Sequence, residues 1–226
     1  MYLREAAKTL AHQFVGLLAR FRKELHFLCD FRQGYNAAKK RSAAETRRTA
    51  IHEAGHAAVL IALGLALGGV SIIPDVREGT LGQVYWSQAD VSADLRAGEA
   101  AYLRYAMVYY AGAEAIRQLI PTDPDPDAGA SSDERYADKV IRHHIGGDTR
   151  SKDLLFSLAR RRCALLVEHY QPEIQALAGA LEAELILSGK AARSVFMRSL
   201  TERGGRPLTF TSALIVQFPR ASRRLH

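Results

Sequence analysis

Two cysteines, one tryptophan and seven prolines are all that this 226-residue chain has of those three residue types. Cys29 and Cys163 stand far apart in apolar surroundings, which rules out a disulfide framework and any zinc-knuckle spacing. Free thiols in a reducing, cytoplasmic setting are the expectation. Long apolar runs are missing as well. The longest, Ala57 to Val70, is shorter than a bilayer-spanning helix and contains three glycines, so no membrane span is expected. Met1-Tyr2-Leu3-Arg4-Glu5 lacks the basic start, apolar stretch and cleavage site of a signal peptide. Acidic charge is in deficit, giving a net charge of +7. The surplus is scattered over Lys39-Lys40-Arg41, Arg47-Arg48, Arg160-Arg161-Arg162 and the tail arginines Arg220, Arg223 and Arg224. Dispersed in this way, and with a single tryptophan, it does not suggest a nucleic-acid partner. A phosphate-binding Gly-x-x-x-x-Gly-Lys-Ser/Thr loop is absent too, since Ser188-Gly189-Lys190-Ala191 lacks the upstream glycine and the hydroxyl residue.

What is present reads as a mainly α fold with a small β element. Hydrophobic residues make up 48% and charged residues 24%, enough apolar material for one globular core. Leu3, Ala7, Leu10, Phe14, Leu17 and Phe21 recur at helical spacing. They predict an amphipathic arm over 1–42 that packs on its own domain or offers a seam to a second copy or another protein. A helix is expected from Ala43 to Leu63. Two short strands should follow, Gly69 to Pro74 and Leu81 to Trp86, joined by a turn over Asp75 to Thr80. Helical periodicity returns from Ala93 to Leu119. The stretch Pro121 to Asp127, with three prolines and three aspartates, continues into Ala128 to Ser132 and reads as an exposed linker. Its spacing does not match a calcium loop. Further helices are expected over Asp133–His144, Asp153–His169, Pro172–Leu187 and Ala191–Thr201. The main domain thus covers 43–203, and 204–226 forms a basic tail with an edge strand at Thr209 to Gln217.

The chemistry concentrates at His52-Glu53-Ala54-Gly55-His56. Histidines four apart on a helix project from one face about a turn apart, where two ring nitrogens can bind one zinc ion. Glu53 sits beside that face, within reach of a metal-bound water rather than the metal, as a general base requires. Gly55 removes a side chain where another element can approach closely. A catalytic zinc needs a third protein ligand and an open fourth position. Val59 and Ala62 occupy the glycine and third-histidine positions of the long metzincin motif and exclude it. Glu78, the nearest glutamate for a thermolysin-like arrangement, falls in the strand turn.

The stretch Arg48-Thr49-Ala50-Ile51-His52-Glu53-Ala54-Gly55-His56-Ala57, followed by Val70-Ser71-Ile72-Ile73-Pro74, resembles the zinc peptidase domain of FtsH-type ATP-dependent metalloproteases. Tyr110-Ala111-Gly112-Ala113-Glu114-Ala115 looks approximately like that family's Gly-Arg-Ala-Ala-Glu-Glu helix. The resemblance implies a third ligand supplied by an aspartate at the start of a later helix, after a Gly-rich, Ser/Asn-containing approach. Within Gly146-Gly147-Asp148-Thr149-Arg150-Ser151-Lys152-Asp153, Asp153 matches that place best, with Asp148 as its rival. His143 and His144 read as helix-end residues. The resemblance also implies a zinc endopeptidase acting on peptides or unfolded segments, with the strand after Ile72 offering its edge to substrate. Without the family's ATPase module, any motor or adaptor would be borrowed through the N-terminal helix. The alternative is a catalytically inactive zinc-bound interaction module, its shell closed by His143, His144 or Asp148.

Overall fold

The computed structural model describes residues 32–86, 99–145 and 149–206. The Leu3–Phe21 stripe, Asp148 and the Thr209–Gln217 segment lie outside the described residues. The expected mainly α fold with a small β element is what the structure has. A short helix α1 (32–40) leads into α2 (Ala43–Ala62). Ser42 starts α2 with a reciprocal cap: its hydroxyl accepts from the Glu45 amide at 3.2 Å, and its own amide donates to the Glu45 carboxylate at 2.8 Å. From Thr49 to Ile61, α2 is buried on almost every side, which its small residues permit.

The remaining helices wrap this central rod. They are α3 (Glu99–Leu119), α4 (Ser131–Ile145), α5 (Thr149–His169), α6 (Gln171–Glu184) and α7 (Gly189–Glu202). The first and fourth of these, α3 and α6, pack directly on α2; α4 and α5 pack on α3; α7 packs on α6. Gly55 is where α3 crosses closest. A Cβ there would stand 2.6 Å from the Ala111 carbonyl oxygen and 2.7 Å from the Ala115 methyl. Among the described residues, no helix is long and apolar enough to cross a membrane.

Three strands form one antiparallel sheet in the order β2-β1-β3, with β1 (Gly69–Ser71), β2 (Gln83–Tyr85) and β3 (Ile186–Ser188). Val70 lies opposite Val84 on one side and Leu187 on the other. The sequence led to a strand pair, and β3 was expected to be helix. Leu185 explains the difference: it ends α6 in the left-handed region, φ 61°, with its amide still bonded to Leu181. The chain turns there, and Ile186–Ser188 pairs with β1. Arg41 ties the other end of the sheet, donating to the carbonyls of Ile72 and Leu81 at 2.8 Å each. It thereby closes the base of the turn that joins β1 to β2.

Candidate metal centre

His52 and His56 project from α2 toward the first turn of α4, and Asp133 meets them there. His52 Nε2 lies 3.1 Å from His56 Nε2 and 3.2 Å from Asp133 Oδ2. The remaining pair, His56 Nε2 and Asp133 Oδ2, is 3.4 Å apart. A tetrahedral metal with bonds of about 2.0–2.1 Å holds its ligand atoms about 3.3 Å from one another. All three separations fall near that value, so these residues fit a metal ion.

The surroundings fix the donors. His56 Nδ1 donates to the Val108 carbonyl at 2.6 Å. This outer contact leaves Nε2 free to bind a cation when the ring is neutral. Gly112, on the facing turn of α3, makes room for both rings. A Cβ there would come within 2.5 Å of His52 Cε1 and His56 Nε2. The His52 and Asp133 side chains retain 13% and 20% exposure against 7% for His56, so solvent reaches the group from their side.

The segment expected to be an exposed linker is irregular and largely exposed, and on its way to Asp133 it is also strapped to α2 and α3. Arg48, one turn before His52, donates from Nε to the Asp123 carboxylate at 2.8 Å. Its Nη2 donates to the Asp125 and Ala128 carbonyls at 2.9 and 3.1 Å. Arg117 of α3 pairs with Asp127. The strap ends at Ala130, whose carbonyl accepts from Glu134, and Asp133 stands in the first turn of α4, where a carboxylate is favoured by the helix dipole.

Glu53, next to His52, is buried between α2 and the entry to β2. A Cβ at Gly82 would be 2.7 Å from Glu53 Oε1. Burial raises the Glu53 carboxyl above its ordinary range; the imidazoles oppose this and the Asp133 charge adds to it. Burial alone would lower His56, but the charge and hydrogen bond of Asp133 prevail and push it up to about 9. Burial works against the Asp133 charge, yet the two imidazoles hold its carboxyl well below the usual range.

Of the residues singled out from the sequence, His52, Glu53 and His56 come together. Asp153 does not. With α5 helical from Thr149, Asp153 lies a full turn inside the helix and is exposed, while Lys152, Ala159 and Cys163 form the buried side. The sequence reading missed Asp133. A signal for it existed in Gly129-Ala130-Ser131-Ser132-Asp133, a glycine and two serines leading into an aspartate at a helix start. Glu78 is exposed in the β1–β2 turn and is not among the gathered donors.

Three aromatic rings continue the site away from the donors. Trp86 follows β2 and meets Tyr109 of α3 edge to face at 5.7 Å. Tyr109 stacks on Tyr136 of α4 at 5.6 Å. Burial and the neighbouring Asp133 charge push the Tyr109 phenol up to about 12, so it stays protonated.

No protein-family model matches the chain, and a search of curated proteins returns no match.

Proposed function

We propose that this protein is a zinc-dependent endopeptidase, built like the peptidase domain of FtsH-type proteases, in which His52, His56 and Asp133 hold the metal and Glu53 is the general base. The observation that carries this reading is the set of three ligand atoms 3.1–3.4 Å apart with a buried glutamate on the adjoining helical position. Zinc, when bound, supplies a Lewis acid that acidifies water and polarises a peptide carbonyl. Glu53 takes the proton from the attacking water and returns it to the leaving amine. Its raised affinity for a proton suits both roles. The Val108 carbonyl and Gly112 keep the His56 and His52 rings turned toward one point. The outer edge of β2 is free of a strand partner among the described residues and starts beside Glu53, which suits an extended peptide. The substrates are peptides or already unfolded segments. Cys163, a buried free thiol, is in keeping with a reducing, cytoplasmic setting.

Elemental analysis tests the ligand set. Wild type and Asp153→Ala should carry about one zinc per chain, and Asp133→Ala should lose it. Casein hydrolysis tests the chemistry: Glu53→Gln should retain zinc and lose at least about a hundredfold in rate. Full zinc content in Asp133→Ala would overturn the assignment. Zinc without hydrolysis in the wild type would leave the inactive, metal-clamped module as the reading.

A further inference from the structure

We propose that Trp86, Tyr109 and Tyr136 form a subsite that receives an aromatic or large aliphatic side chain of the peptide substrate, adjacent to the candidate metal centre. The inference rests on the peptidase reading and names the substrate residue that the same site selects.

Tyr109 and Tyr136 stand on helices that also contribute to the metal centre, and on the same face, and Trp86 ends the short segment that begins at Gly82. Trp86 is four residues after Gly82, the residue pressed against Glu53. Burial alternates over 82–86, with Gln83 and Tyr85 exposed and Gly82, Val84 and Trp86 turned inward, which puts Gly82 and Trp86 on one side. Tyr109 precedes Gly112, the residue under the two imidazoles, by three positions on α3, and Tyr136 follows Asp133 by three positions on α4. Residues three apart on a helix are neighbours on one face. The three rings therefore form one row on the side of α3 and α4 that carries Gly112 and Asp133.

Core packing accounts for Trp86 and Tyr109, which lie against the hydrophobic core, but not for Tyr136. Tyr136 is 53% exposed, and Trp86 and Tyr109 are only partly buried. Tyr136 thus reaches solvent one helical turn from a candidate metal ligand. A peptide laid along the β2 edge, with a carbonyl at the donors, would pass a side chain across this row. Offset stacking on tyrosine and burial of apolar area both favour a phenylalanine-like or leucine-like residue. Small or charged residues gain neither.

The test uses the protein's own reporter, since Trp86 is the one tryptophan in the chain. The full-length, zinc-loaded Glu53→Gln protein is titrated with a short capped Ser/Ala peptide carrying one phenylalanine, and with the same peptide carrying alanine there. The phenylalanine peptide should change Trp86 emission and bind at least about tenfold more tightly. Tyr136→Ala should reduce that preference to about threefold or less. Tyr136→Phe, which keeps the ring, should preserve it. Equal binding of the two peptides, or an undiminished preference in Tyr136→Ala, overturns the inference. A parallel digest separates it from the peptidase reading. If zinc-loaded wild type cuts casein without enrichment of aromatic or large aliphatic residues beside the cuts, the subsite falls and the peptidase stands. If Trp86 discriminates the peptides but casein stays intact, the peptidase reading falls, and the substrate subsite falls with it, leaving only a peptide-binding surface.

Discussion

Asp133 and Glu173 are two largely enclosed carboxylates with opposite arrangements. Glu173 of α6 is fully buried and answered by a permanent cation: Arg203 donates from Nε at 2.7 Å and from Nη2 at 3.1 Å. That pair is complete within the fold and clamps α6 to the residue that ends α7. Asp133 instead faces the imidazoles of His52 and His56, at 3.2 and 3.4 Å, and shares its enclosure with the buried Glu53. A carboxylate with a guanidinium partner is structural; one placed beside two ring nitrogens at ligand spacing could hold an external cation. The contrast separates a site from a clamp without reference to any relative.

The largest effect should come from breaking the Asp133 side. Sharing about 10–16 kcal/mol of zinc affinity among its ligands leaves about 4 kcal/mol for one, so Asp133→Asn should weaken zinc binding about a thousandfold in a chelator competition. On the Glu173 side, Arg203→Ala should leave zinc affinity unchanged and lower stability by about 3 kcal/mol in urea unfolding, because a buried carboxylate loses its partner. A change in zinc affinity in that variant would erase the distinction between the two carboxylates. Gly112→Ala adds a methyl where both imidazoles lie and should cost about ten- to a hundredfold in zinc affinity, comparable to losing an outer contact of a ligand. The smallest effect is on pH. Without metal, His56 titrates at about 9, so below that pH a proton must leave before a cation binds. Apparent zinc affinity should therefore rise with pH, by up to about tenfold per unit, and level off above about 9. An affinity independent of pH below that value would place the metal elsewhere.

The half of α2 that carries His52, Glu53 and His56 was legible in the chain because its information is local. Two histidines and a glutamate at helical spacing lie on adjoining faces once the helix forms, and Ser42 with Glu45 marks where it begins. Gly55 was legible for a similar reason, as a gap that α3 fills at Ala111. Asp133 was harder to find because its role depends on where a long connection is pinned. The prolines and aspartates over Pro121–Asp127 indicate irregular backbone whether that backbone hangs free or is strapped. Only the Arg48 and Arg117 contacts distinguish the two cases. Asp153 suffered the converse error. Its distance to the end of its helix suited a ligand, but the helix begins earlier, and the resulting phase turns it outward. β3 was hidden by three residues whose strand character is imposed by pairing with β1 after Leu185 reverses the chain.

By itself, the amino-acid order determined a mainly helical domain, the position of its central rod and two imidazoles with a glutamate beside them, since helical periodicity fixes neighbours three and four residues apart. The tertiary structure alone decided which aspartate faces them, how the three aromatic rings line up beside them, and that a third strand completes the sheet. These are contacts between segments far apart in the chain, and their geometry is set by how helices and straps pack rather than by any local spacing.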